Sequence, residues 1–357
     1  MYKFYLKNTK TELEMKLTRL LSAGVLLLLF ACSKKENPKS VQSGLVEKTQ
    51  VETDSIQKEE EVPPKKESIN LFTLFPKDSS DVAFVSLSDI YPVNDEKDTL
   101  ILPNIEKLGK YNAQYFTFDK NYRKRFLSKT NISETDSVFV FDYAKNKLAS
   151  FAVKSLKTAA MLNGYSSEED WPYRTLDFMI GFEINKKHLN GFSKYFRDAL
   201  VYIGKENPFS TDGLKPIVWK KIASKEYPSK PIKNEDRDLL ENMVTGNTYL
   251  FKTEMHHYFL QEYLDDDKTI YARRLLVTDS KIKDIIIEKL YAQSEDTSPA
   301  PLNYEEGYNT INQWTGKLFK NKPTVVFGFE YISFGCPVIS IIDKSNEEIF
   351  LQCDNRH

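Results

Sequence analysis

Strand signals dominate this chain, and they are clearest in its second half. Segments 249–252, 257–263, 269–278 and 284–291 are rich in Tyr, Phe, Leu, Ile and Val and are separated by short polar turns. Asp265-Asp266-Asp267-Lys268 and Asp279-Ser280-Lys281 supply the turn chemistry, because Asx side chains hydrogen-bond to nearby backbone. The pattern predicts four sequential antiparallel strands, a meander. Upstream, 82–87 and 178–184 read as further strands. Segments 137–143 and 148–153 read as a hairpin closed by Ala144-Lys145-Asn146-Lys147. Helical spacing replaces the strand pattern at 186–200, where Leu189, Phe192, Phe196 and Leu200 recur every three or four residues. A second, shorter helix is predicted over 235–244. The fold class that follows is predominantly antiparallel β with a few helices, a β-rich α+β protein whose C-terminal meander ends in a disulfide-linked hairpin.

That hairpin is predicted from residues 336–342 and 347–353, flanking the turn Asp343-Lys344-Ser345-Asn346. If Ile342 lies opposite Glu347, Ser340 meets Ile349, Val338 meets Leu351, and Cys336 meets Cys353. Directly opposed residues of antiparallel strands have α-carbons about 4.5–5.5 Å apart, within reach of a disulfide. A structural bridge is the expectation, since no Cys-x-x-Cys or nearby His suggests redox or metal chemistry.

The N-terminal part has a different pattern. A basic stretch with Lys16 and Arg19 precedes an apolar run over 20–31, and the small residue Ala31 precedes Cys32. These are the marks of an export signal. The run is roughly a dozen residues long, against about 20 for a spanning helix. Met15 is the more usual place for such a signal to start. The segment Leu29-Phe30-Ala31-Cys32 resembles the lipobox of bacterial lipoproteins, with Phe30 bulkier than the usual occupant. The resemblance implies a signal peptide over 1–32 and a Cys32 that carries fatty acyl chains such as palmitate and becomes the mature N-terminus. Two or three such chains anchor stably, each buried CH₂ contributing about 0.8 kcal/mol. Ser33 and Lys34 follow the cysteine where inner-membrane lipoproteins carry Asp, which implies the outer membrane. Lys34-Lys35-Glu36 lacks the acidic run of surface-exported lipoproteins, which favours the periplasmic side over the cell surface. An oxidising compartment also suits the predicted bridge.

Residues 33–68 are rich in Lys, Glu, Ser and Gln and include Glu59-Glu60-Glu61 and Pro63-Pro64-Lys65-Lys66. Such a stretch buries too little apolar area to offset its ordering entropy and reads as a disordered tether. A globular β-rich domain is expected over 69–357, with a sub-boundary near 226–234, where Pro228 and Pro231 interrupt the pattern. The 50 Lys and Arg balance 51 Asp and Glu, a net charge of −1, so nothing in the bulk charge suits nucleic acid.

Candidate chemistry is thin. His256-His257 are adjacent, so on a strand they face opposite ways and do not easily share a metal; no metal site is expected. Asp265-Asp266-Asp267 has Ile270 where an EF-hand loop needs Gly, which leaves a solvated turn. Ser294 lies outside any Gly-x-Ser-x-Gly elbow, and Gly-rich phosphate loops are missing, so no catalytic residue or cofactor is assigned. Arg273 and Arg274 say more. They fall on opposite faces of a strand apolar on both, so each buried guanidinium needs a carboxylate or an anion. Glu262 and Glu288 on neighbouring strands are the expected partners, and a structural ion pair is favoured over an anion site. Trp171-Pro172-Tyr173 and Trp314 place large aromatics beside chain breakers, either as a binding face or as loops folded onto the core. Possible binding residues are therefore Trp171, Tyr173, His256, Arg273, Arg274 and Trp314.

Together these features favour a lipid-anchored cell-envelope protein with a non-enzymatic binding, inhibitory or structural module, whose partners are the membrane and a protein or envelope component. The alternative is a tethered hydrolase acting on glycan, peptide or lipid. It predicts a deep cleft with converging acids or histidines near Trp171 or Trp314.

Overall fold

Three antiparallel-rich sheets and one short ribbon carry the fold. The computed structural model describes residues 69–94, 98–281, 284–307 and 309–355. The export signal with Cys32 and the tether over 33–68 lie outside the described residues. A five-stranded sheet in the N-terminal half has the order Leu74–Pro76, Val82–Ser86, Phe178–Asn185, Thr158–Leu162, Tyr115–Thr117. The helix Lys120–Lys129 packs with it and buries Phe126 among Val85, Phe178 and Phe182 of the first core. Asp119 caps this helix, its carboxylate accepting from the backbone N–H groups of Asn121 and Tyr122.

The meander forms as its pattern predicts and gains a fifth strand. Lys220–Ile222 precedes Val244–Lys252, His256–Leu264, Ile270–Asp279 and Ile285–Ala292, all antiparallel. Both of its faces are covered. Tyr258, Leu260, Leu275 and Val277 pack on one side against Val326, Phe329 and Ile342. On the other side the segment predicted as a sub-boundary runs across the sheet as a strap: the Tyr227 hydroxyl donates to the Arg274 carbonyl, and the Lys230 and Pro231 carbonyls accept from the Arg274 guanidinium.

A nine-stranded sheet gathers segments remote in sequence, including the predicted hairpin Ser137–Asp142/Lys147–Ala152, the strand Ala199–Gly204 and the C-terminal pair Val338–Ile341/Glu348–Gln352. The C-terminal hairpin therefore belongs to a different sheet from the meander. Leu71–Phe72 is inserted beside it, parallel to the last strand.

Two expectations are corrected. The 186–200 segment is not a helix. It forms two short 3₁₀ turns, Lys186–Leu189 and Lys194–Phe196, and enters the nine-stranded sheet at Ala199. Gly191, Tyr195 and Phe196 all take positive φ, which no helix admits. The helical spacing marked residues that do turn inward, but Leu189, Phe192 and Phe196 serve one core and Leu200 another. The second predicted helix is confined to Asn234–Leu240, and strand begins again at Val244.

The C-terminal register is also shifted by one residue. Val338 pairs with Phe350, Ile339 with Ile349 and Ser340 with Glu348. The Ile341 N–H bonds to the Glu347 carbonyl, so the loop takes in Ile342 as well, with Asn346 left-handed at φ 54°. The cysteines then lie just beyond the paired strands. Gly335 at φ 106° and Asp354 at φ 61° bend the chain there, and the Cys336–Cys353 disulfide closes with α-carbons 5.6 Å apart.

Candidate functional site

The expected ion pairs form as the strand pattern requires. Arg273 lies opposite Glu262 across the ladder, with Nη2 3.2 Å from Oε1 and both side chains almost wholly buried. Its Nη1 donates to the Ala300 carbonyl. Arg274, on the other face, donates from Nε to Glu288 Oε1 at 2.7 Å, and Lys230 Nζ reaches Oε2 at 2.6 Å. Burial alone would raise the Glu288 carboxyl, but bonds to Lys230 and Arg274 outweigh it and hold the carboxyl below its ordinary value. Both arginines are thus engaged within the fold.

The aromatic loop residues also turn inward. Tyr173 is buried in the first core, and Trp171 meets it edge-on at 5.2 Å. Trp314 is buried and packs edge-on against Tyr143 at 5.3 Å. His256 is buried at the start of its strand, where burial lowers its pKa despite Asp279. Asp265 ties its turn by accepting from Thr269, and Lys268 is left-handed at φ 60°. Ser294 is a turn residue whose hydroxyl accepts from the Asp296 and Thr297 N–H groups. Among the described residues no group of three or more His, Cys, Asp or Glu is placed to hold a metal ion.

A concave feature lies elsewhere among the described residues. A cleft of about 1050 Å³ opens where the C-terminal strands, the last meander strand, the 327–332 segment and the 194–200 segment converge. Strand alternation builds its walls. Ser340 and Glu348 are cross-strand neighbours, so they share the face opposite the buried Ile349 and Leu351. On Ile285–Ala292, Glu288 turns to Arg274, while Lys289 and Tyr291 share the other face and line the cleft. Glu330 arrives from the ribbon Thr297–Pro299/Glu330–Ile332.

The approach to that ribbon is tightly fixed. Gly328 has φ 85°, and a β-carbon there would lie 1.9 Å from the Asn312 carbonyl oxygen. Its own carbonyl accepts from the Gln313 amide. The flanking rings lock the segment in place: Phe327 meets Tyr143 edge-on at 5.3 Å, and Phe329 stacks on Tyr291 at 4.9 Å with an 8° interplanar angle.

Charge in the cleft is mostly paired. Lys289 bonds Glu348, and Arg197 Nε lies 3.1 Å from Asp198 Oδ1. The bond to Asp198 holds Arg197 protonated more firmly than usual. Glu330 differs. Its carboxylate meets no donor or cation among the described residues, and burial, with Glu348 adding repulsion, raises its pKa. Burial and the carboxylates of Glu330 and Glu348 push the Tyr291 phenol up as well. The exposed rings of Tyr195 and Tyr331 stand among the lining residues.

None of the lining residues was among the candidate binding residues read from the sequence. The one linear clue is Glu330 itself, a lone carboxylate in the apolar run over 325–332. Comparison with known proteins matches no family model, no curated protein and no solved structure.

Proposed function

We propose that this protein is a lipid-anchored component of the cell envelope, held at the periplasmic side of the outer membrane through Cys32, and that its folded part is a non-enzymatic binding module. The cleft beside the C-terminal hairpin is its ligand site. The observation that carries this reading is the cleft's composition: a cavity of about 1050 Å³ with apolar and aromatic walls and a few placed polar groups. Ligand sites characteristically have this make-up, with volumes of about 300–1,000 Å³. The candidate arginines argue the same way by elimination, since both are spent on internal pairing.

A second reading is favoured by one specific observation. Glu330 has a raised pKa, and Glu348, which pairs with Lys289, lines the same cleft. Two carboxylates facing one cavity can serve as acid and base in glycoside hydrolysis.

The anchor is tested by radiolabelled palmitate, whose incorporation disappears in Cys32→Ala. The site is tested by equilibrium binding of the full lipoprotein, in detergent, to solubilised envelope fractions. A Tyr195→Ala/Tyr331→Ala double variant, altered only at exposed rings, loses at least tenfold in affinity. Unchanged binding by that variant removes the cleft from consideration. Turnover of a glycan substrate that Glu330→Gln or Glu348→Gln abolishes, without loss of binding, replaces the module with the hydrolase.

A further inference from the structure

We propose that the cleft takes a ligand bearing a protonated primary amine beside an apolar or aromatic group, and that Glu330 is the counter-ion of that amine. This rests on the reading of the cleft as the ligand site. Six charged side chains line it: Lys194, Arg197, Asp198, Lys289, Glu330 and Glu348. Arg197 is matched by Asp198, and Lys289 by Glu348. Lys194 lies over the ring of Tyr195, 4.8 Å from its centroid. Of the three carboxylates, Glu330 alone is left without an ionic or hydrogen-bonding partner among the described residues.

A half-buried carboxylate in that condition has lost part of its hydration and gained nothing in exchange. Its raised pKa is the signature of the deficit. An ammonium group arriving with a ligand makes up the deficit with a charge-assisted hydrogen bond, so the site favours a cation over a neutral group there. At Glu330 itself an anion would meet an unpaired carboxylate and is disfavoured. The surroundings fix the remainder of the ligand. Tyr291, stacked on the buried Phe329, offers an aromatic wall near the carboxylate. Envelope sources of such chemistry are a basic amino-acid side chain in a peptide and a free amino sugar.

The experiment titrates the full lipoprotein, in a nonionic detergent, with four probes: acetyl-Phe-Lys-amide, its norleucine counterpart, glucosamine and N-acetylglucosamine. The Lys peptide is expected to bind at least about tenfold tighter than the norleucine peptide, and Glu330→Gln to erase the difference. A tenfold preference for glucosamine over its acetylated form, erased by the same variant, assigns the amine to a sugar. Equal binding within each pair, a preference that survives Glu330→Gln, or no binding of any probe at millimolar concentration overturns the assignment. In those cases the envelope-binding assay separates the two ideas. Binding lost in the Tyr195→Ala/Tyr331→Ala variant but kept in Glu330→Gln preserves the cleft and discards the amine. Binding kept in both discards the two together.

Discussion

Replacing Glu262 with Leu tests how the meander holds its buried charge. Arg273 and Glu262 are 2% and 3% exposed, so neither is screened by water. Removing one partner of a buried pair costs about 3–5 kcal/mol, because the other charge stays buried and uncompensated. Here the cost falls near the lower limit, since Glu305 Oε2 lies 3.8 Å from Arg273 Nη2 and can move closer. Arg273→Met alone strands Glu262 and frees the Ala300 carbonyl, for a similar loss of about 3 kcal/mol or more. The double variant leaves no orphan charge and loses chiefly the bond to Ala300, a cost of about 1–3 kcal/mol. Urea unfolding followed by far-ultraviolet circular dichroism on the four proteins closes the cycle. The expected coupling is about 2 kcal/mol or more, with the double variant no less stable than either single one. Additive losses, with coupling under about 0.5 kcal/mol, would refute the claim that the pair satisfies a burial requirement.

Three further outcomes follow from the same physics. Glu330→Gln is expected to stabilise the protein at pH 7: the folded-state pKa is raised, so the native protein loses stability as pH climbs from the ordinary carboxylate value through the raised one. The advantage should vanish below pH 4 in thermal melts, and a variant less stable at pH 7 contradicts it. Replacing Cys336 and Cys353 together by Ser should cost about 3 kcal/mol in urea unfolding, given the 17-residue separation the bridge spans; a loss under 1 kcal/mol would contradict this. Gly328→Ala should cost more than about 2 kcal/mol, since the new methyl meets the Asn312 carbonyl and φ is positive. Its near-ultraviolet dichroism should change as the Phe329–Tyr291 stack shifts, and an unaltered spectrum contradicts that geometry.

What the chain reveals in linear form depends on how local the cause is. The meander was legible because strands of regular length and Asp-rich turns recur at short spacing. The arginine pairing was legible because period-2 alternation assigns Arg273 and Arg274 to opposite covered faces, and each face holds one carboxylate on an adjacent strand. The disulfide was legible as a pairing, but its register was not: the loop takes in Ile342, with Asn346 left-handed, and the ladder stands one position from the expected one. The 186–200 segment misleads because its apolar spacing serves two cores in succession, and tertiary packing overrides the helical period. The cleft was beyond reach. Tyr143, Arg197, Tyr291, Glu330 and Glu348 come from five separate segments, and only the folded sheets bring them to one cavity.

The most direct measurement places a photo-crosslinking amino acid at position 331 of the full-length protein in intact cells, with position 111 as the control. Tyr111 is 74% exposed and outside the cleft. Light should produce one discrete envelope adduct from position 331 and none from 111, and it should be lost in Cys32→Ala. Equal adducts from both positions, or none from 331 in correctly anchored protein, contradict a ligand-binding cleft at the membrane.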